Sequence, residues 1–261
     1  MKFCSLYSGS SGNSSFVSTE KARILIDAGL PGKKIEEALK SINEKPEEID
    51  AIFVTHEHSD HIKGIGVISR KYDVPIYANN RTWQAMAKAI GNIKDKNIKV
   101  MENNYVSIKD MYIESYSTPH DAADSCGYAV SFGNKKICTA TDLGYFTDEV
   151  KKNIMDADLI LLESNHDIEM LKFGPYPYVL KRRILSDVGH LSNAACGEAI
   201  AEITTEKQKK IVLGHLSHTN NYPELAYATV KNILIEKGID IGKDVILSMA
   251  DRHKPSSYFE L

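Results

Sequence analysis

The chain is short of the features that announce a class at a glance. Its four cysteines, Cys4, Cys126, Cys138 and Cys196, are scattered with no CxxC pair. Neither a zinc ribbon nor a disulfide framework is readable, and buried reduced thiols are expected. No apolar run approaches bilayer length: Ala51-Ile52-Phe53-Val54 and Leu159-Ile160-Leu161-Leu162 are the length of buried strands. The N-terminal MKFCSLYSGSSGNSS turns to serine too soon for a secretory signal, so a soluble cytoplasmic protein with no membrane attachment is expected. An excess of one charge is also missing. With 32 basic against 35 acidic residues the net charge is −3, and no global field draws the protein onto a polyanion. No Pro/Ser linker or low-complexity stretch divides the chain, so one domain over residues 1–261 is expected.

What is present is an average globular composition, 43% hydrophobic and 26% charged, which excludes a disordered tail or a fibre. Short β-branched and aromatic runs alternate with helical periods. Strands are expected at 2–7, 15–19, 22–26, 51–54, 98–101, 105–108, 111–117, 127–132, 136–141, 158–162 and 210–213, with one more near Ile76. Helices are expected at 33–41, 62–71, 82–90, from Thr147, at 177–186 and 193–204, and from Pro223. The halves echo one another. Ile24–Gly29 resembles Cys138–Gly144, a strand ending in Asp with Gly soon after, and Asp50–His58 loosely resembles Asp158–His166. Two helix–sheet halves suit a sandwich with sheets inside and helices outside.

The segment His56-Glu57-His58-Ser59-Asp60-His61 dominates the chemistry. Three imidazoles and a carboxylate follow directly on a buried strand, and neutral imidazole with carboxylate suits zinc, manganese or iron. Chance is a poor account, since the whole chain has only nine histidines. On the residues alone the later candidates stay open. His120 is also readable as a loop histidine beside Pro119, Asp142 as a turn residue before Gly144, and His215 competes with His218.

An HxHxDH block after a hydrophobic strand resembles the signature of the metallo-β-lactamase-fold hydrolases, and Asp27, His120, Asp142 and His215 fall in that family's order along the chain. The resemblance implies an α/β (α+β type) fold, a four-layer αββα sandwich. It also implies two divalent ions, one held by His56, His58 and His120, the other by Asp60, His61 and His215. Asp142 would bridge them and Asp27 would brace the ligand loop. Iron-redox relatives carry a glutamate where His58 stands, so a di-iron protein is disfavoured.

Two further segments narrow the reaction. Gly189-His190-Leu191-Ser192-Asn193 is similar to a segment of ribonuclease Z and related nucleases, in which the histidine donates a proton, and Glu163 sits where those enzymes carry the glutamate that positions it. His190 reads equally as a residue preceding a helix cap at Ser192 or Asn193, and His166 reads as an exposed loop residue in preference to a group that supports the ligands. The Asp142–His215 interval has no room for the cap domain of β-CASP nucleases.

The whole chain resembles the YycJ/WalJ family through Ser8–Ser14, the HEHSDH block, Glu163–Asp167, Gly189–Asn193 and His215-Leu216-Ser217. That resemblance implies a cytoplasmic 5′-to-3′ exonuclease on DNA, with Asp60, His190 and Glu163 as its catalytic groups and RNA left open as a substrate. A thioester or lactone hydrolase on the same scaffold is the alternative. Ser8–Ser14 is no P-loop and reads as a strand connection. Among the basic clusters Lys181-Arg182-Arg183 is the candidate phosphate contact, whereas Lys33-Lys34, Lys207–Lys210 and Arg252–Lys254 read mostly as solvated faces.

Overall fold

The computed structural model describes residues 1–261. The first half contains β1 (Lys2–Tyr7), β2 (Ser14–Ser18), β3 (Arg23–Ile26), α1 (Gly32–Ser41), β4 (Ala51–Phe53), α2 (Ser59–Ile62), α3 (Ile65–Tyr72), β5 (Ile76–Ala78), α4 (Asn80–Ile90) and β6 (Ile98–Val100). The second contains β7 (Tyr105–Ile108), β8 (Met111–Ser117), β9 (Cys126–Phe132), β10 (Lys135–Ala140), α5 (Asp148–Ile154), β11 (Leu159–Glu163), α6 (Ile168–Phe173) and α7 (Tyr178–Ile184). It continues through α8 (Asn193–Ile203), β12 (Lys209–Gly214), α9 (Pro223–Glu236), β13 (Val245–Met249) and β14 (Phe259–Glu260).

Two seven-stranded sheets result, ordered β14-β1-β2-β3-β4-β5-β6 and β13-β12-β11-β10-β9-β8-β7. Each begins antiparallel and continues parallel, from β3 through β6 in one and from β10 through β13 in the other. The echo between the halves is therefore topological: β3 and β10 occupy matching places, as do β4 and β11. Alternate strand residues point to opposite faces. Ile24, Phe53, Tyr128, Leu159 and Val212 fill the space between the sheets. Leu25 and Ile52 face Ile35, Leu39, Ile68 and Met86 of the first helical layer, while Cys138, Ile160 and Ile211 face Val150, Ile200 and Leu234 of the second. Covering both faces of the parallel strands is what makes their sequences continuous apolar runs. The architecture is the expected αββα sandwich.

The helix expected at 62–71 is two pieces. Gly64 interrupts it because the chain is pinned there: its N–H donates to Ala28 O at 2.7 Å, and a Cβ would lie 2.3 Å from Leu30 O. Asp60 and His61 thus sit in the single turn of α2, with His58 at its N-cap. The elements absent from the sequence reading, α6, β13 and β14, are short, and β13 and β14 lie at sheet edges.

Candidate metal centre

The carboxyl ends of the parallel strands in both sheets meet at one edge of the sandwich, where open α/β sheets generally place ligands. Asp27 follows β3, the HEHSDH block follows β4, Asp142 follows β10, Glu163 ends β11 and His215 follows β12. His120 comes from the loop after β8 and packs with His56 and His58, ring centroids 5.1 Å from each. Ligand atoms of His56, His58 and His120 lie within 4.8 Å of one another. So do those of Asp60, His61 and His215, while Asp142 groups with His56 and His61 and, separately, with Glu163, His190 and His215. His218 is exposed, away from these clusters.

Acceptors on the far side of four of the rings, those of His56, His61, His120 and His215, fix their protons. His61 Nδ1 lies 2.8 Å from Asp27 Oδ2 and His120 Nδ1 lies 3.1 Å from Gly189 O. His215 Nδ1 lies 2.7 Å from Glu163 Oε1. Thr55 donates its hydroxyl to Asp27 Oδ2 at 2.8 Å and can therefore accept from His56 Nδ1 at 3.0 Å. Each contact holds the proton on Nδ1 and leaves Nε2 to face the centre, as a metal-bound histidine requires.

On the inside His61 Nε2 meets Asn13 Nδ2 at 3.1 Å, but the other three rings have nothing. His56 Nε2, His120 Nε2, His215 Nε2 and Asp142 Oδ2 are buried without a hydrogen-bond partner. A lone buried polar atom of this kind costs about 1–3 kcal/mol, and four converging on one spot are accounted for by cations among them. The donor set, imidazole nitrogen and carboxylate oxygen, fits divalent zinc or manganese. Asp142 Oδ2 is 3.4 Å from His61 Nε2, and its Oδ1 is 3.6 Å from both His120 Nε2 and His215 Nε2, so this carboxylate stands between the two sets.

Electrostatics point the same way. Burial and the surrounding imidazoles push His56 well below its ordinary pKa, keeping it neutral. Burial also presses on His61, but the charges of Asp142, Asp27 and Asp60 outweigh it and raise that imidazole to about 9. Burial would raise Asp60, yet His61 and His215 hold it well below the usual carboxylate range. A proton on His61 fills a place built for positive charge.

Glu163 is fully buried and accepts four hydrogen bonds. Oε1 takes His190 Nδ1 at 2.8 Å and His215 Nδ1 at 2.7 Å, and Oε2 takes Leu143 N at 2.7 Å and Leu191 N at 3.1 Å. Burial would raise it, but His190 and His215 keep it well below the ordinary carboxylate range.

Several residues depart from the sequence reading. His166 is not an exposed loop residue: it is 2% exposed, held by a β-bridge to Ser192. Lys209, placed among solvated basic faces, is fully buried with Nζ on the carbonyls of Met155 and Ala157. Arg183 is spent on Asp121, its Nη2 donating to Oδ1 at 2.8 Å and its Nε to Oδ2, so it offers no free charge to a phosphate. Sequence reasoning missed Asn13 and Thr55. Asn13 Nδ2 is 3.1 Å from His61 Nε2 and donates to Asp60 Oδ2 at 3.3 Å, so the Ser8–Ser14 loop is more than a connection. Thr55 N donates to Asp27 Oδ1 at 2.9 Å, locking the brace. The only signal for either was polarity beside a strand end.

A sandwich of this topology with a dinuclear metal centre at one edge defines a metal-dependent hydrolase, and the model of the metallo-beta-lactamase superfamily matches residues 7–215: the chain belongs to that superfamily. It is 44% identical to the exodeoxyribonuclease YycJ of Bacillus anthracis over 98% of this chain and 97% of that protein. It is 45% identical to the exodeoxyribonuclease WalJ of Streptococcus pneumoniae over 93% of this chain and 91% of that protein. Among solved structures, the metallo-beta-lactamase fold protein YhfI of Bacillus subtilis superposes with a TM-score of 0.71 at 15% identity, covering 98% and 99% of the two chains, a likeness of fold. No helix is long and apolar enough to cross a membrane.

Proposed function

We propose that this protein is a dinuclear metal-dependent exodeoxyribonuclease that degrades DNA from the 5′ end in the cytoplasm. In this reading His56, His58 and His120 hold one divalent ion, Asp60, His61 and His215 the other, and Asp142 lies between them. When bound, the ions supply Lewis acidity to a phosphoryl oxygen and ionise water near neutral pH. The protein's own groups do the rest. Asp60, on the open side with its side chain 25% exposed, accepts a hydrogen bond from the attacking water and aims it. Asp27 and Thr55 hold the rings of His61 and His56 from behind.

The observation that carries the reading is the single oxygen Glu163 Oε1, shared by His190 and His215. It ties a histidine with a free second nitrogen to the metal cage at fixed distance. His190, its ring held through Nδ1 by Glu163 Oε1 at 2.8 Å, gives a proton from Nε2 to the departing oxygen. A phosphodiester expels an alkoxide, a poor leaving group that needs such a proton, whereas a thioester expels a thiolate that does not. The similarity to two exodeoxyribonucleases along nearly their whole length supports DNA as the substrate.

The test is turnover by the zinc- or manganese-loaded protein of end-labelled duplex DNA, RNA, bis(p-nitrophenyl) phosphate, a glutathione thioester and an acyl lactone. Mononucleotides released from the 5′ end are expected, with His190→Ala slowing that release by about 10²–10⁴-fold while both ions stay bound. Turnover confined to the thioester or lactone would replace this reading with the small-molecule one.

A further inference from the structure

A cavity of about 420 Å³ opens against the loop that follows β12 and carries His215. Ser8 lines it and also accepts from His215 N at 2.8 Å, while Leu216, the next residue of the chain, lines it too. Across from them stands Arg252, in bends rather than on the solvated face expected of it. Its guanidinium donates to Leu216 O and lies 3.5 and 3.4 Å from the hydroxyls of Ser10 and Ser11. It also rests against Gly9, where a Cβ would meet Nη1 at 2.7 Å. That glycine adopts φ 152°, so the loop is shaped to let the guanidinium in.

No carboxylate pairs with Arg252, although burial works against its charge. The acid that also lines the cavity, Asp251, is turned back on its own bend, accepting from His253 N at 2.7 Å and Lys254 N at 3.3 Å. Tyr222, 48% exposed, and His218 also line the cavity.

We propose that this cavity holds the nucleotide adjoining the scissile bond, with Arg252 on its phosphate and Tyr222 against its base. The inference rests on the nuclease reading above. A half-buried guanidinium lacking a counter-ion is a fork waiting for a planar or tetrahedral oxyanion, and arginine pairs bidentately with phosphate. An exposed aromatic face beside it suits a base, whatever its identity, since stacking is tolerant of sequence. The volume lies within the range of small-molecule sites, and contact with the loop that carries His215 places the occupant next to the reacting phosphate.

The experiment uses the full chain loaded with metal and a 5′-labelled single-stranded oligonucleotide, with bis(p-nitrophenyl) phosphate as a substrate that has no adjoining nucleotide. Arg252→Gln and Tyr222→Ala are each expected to raise KM for the oligonucleotide about tenfold, and to lower the ratio of oligonucleotide to small-diester turnover by the same factor. Arg252→Lys, which keeps the charge and loses the fork, recovers part of the loss. For Arg252→Gln the slope of log affinity against log salt flattens by about 0.7–0.9, the signature of one lost phosphate contact, which a merely structural role would leave alone. Lys237→Gln, remote and paired with Glu198, removes the same charge and leaves KM within twofold. Wild-type KM and salt slope in Arg252→Gln, or wild-type KM in Tyr222→Ala on its exposed loop, overturn the subsite while DNA degradation by the unmutated protein upholds the nuclease. Failure of the unmutated protein to degrade DNA, with diester turnover intact, overturns both.

Discussion

Replacing Glu163 by glutamine removes one charge and almost no volume, and the structure fixes what must follow. The native carboxylate accepts four hydrogen bonds, two on each oxygen. A glutamine has one oxygen and an NH₂ that accepts nothing. If the amide nitrogen turns towards Leu143 N and Leu191 N, two buried N–H groups face another donor, at about 1–3 kcal/mol for each. If it turns towards the imidazoles, His215 and His190 must accept at Nδ1, which moves the proton of His215 onto Nε2, the atom that faces the centre. Either outcome weakens the cage. Changes in groups that orient metal-bound histidines typically cost 10–100-fold in affinity or activity, about 1.4–2.7 kcal/mol, and the double role of this residue places Glu163→Gln at the upper end. Chelator competition with zinc measures the affinity, and turnover of bis(p-nitrophenyl) phosphate measures the chemistry. If Glu163→Gln binds two ions with unchanged affinity and turns over at the native rate, the shared carboxylate does not set the tautomers and the reasoning fails.

Three other perturbations have defined outcomes. In chelator-stripped protein His61 titrates near 9 against about 6.5 when unfolded. Its stabilisation is complete below about pH 6.5 and disappears as pH rises through about 9, so on this group's account the metal-free protein melts at lower temperature at pH 9 than at pH 6.5, a trend that metal loading abolishes. Gly29→Ala puts a Cβ 1.6 Å from Asp60 O, a backbone clash expected to cost about 3 kcal/mol or more and to lower metal stoichiometry below two, read by denaturant titration and elemental analysis. Phe53 stacks on Tyr77 at 4.9 Å and meets Tyr128 edge-on at 5.3 Å between the sheets. Phe53→Ala should therefore destabilise by about 3–5 kcal/mol, measured by urea denaturation.

What could be read from the sequence was whatever is local. A strand is a run of apolar residues, the HEHSDH block is six consecutive letters, and Asp27, Asp142 and His215 each stand just beyond such a run. What could not be read depends on partners far apart in the chain. Asn13 meets His61 across 48 residues, and nothing in Ser8–Ser14 marks one side chain of that polar loop as the one facing inward. Arg183 looks like an available cation until Asp121, 62 residues earlier, closes on it. His166 sits in a stretch of polar letters that reads as solvent-facing, yet the bridge to Ser192 draws it inside. Glu163 was legible as a partner of His190 through resemblance, whereas its second bond, to His215, emerged only from the fold.

The backbone adds a reason why these residue types stand at these strand ends. Asp27, Asp142 and His215 all have positive φ, 60°, 61° and 54°, a region that few side chains other than Asn, Asp and His enter readily. Turning into it lets a strand stop abruptly and present its next side chain at the sheet edge, so the residues suited to the turn are also those suited to bind a cation. Such conformations cost on the order of 1–3 kcal/mol unless the surroundings hold them. Asp27 is held by Thr55 and His61, and His215 by Ser8 and Glu163. Asp142 has no such support on Oδ2, which is buried and unpartnered. The Asp142 turn itself is held, by Leu143 N on Glu163 Oε2 and Gly144 N on Pro119 O. What sets Asp142 apart from Asp27, both of whose oxygens have protein partners, is one buried oxygen left for the cations that the proposed function places beside it.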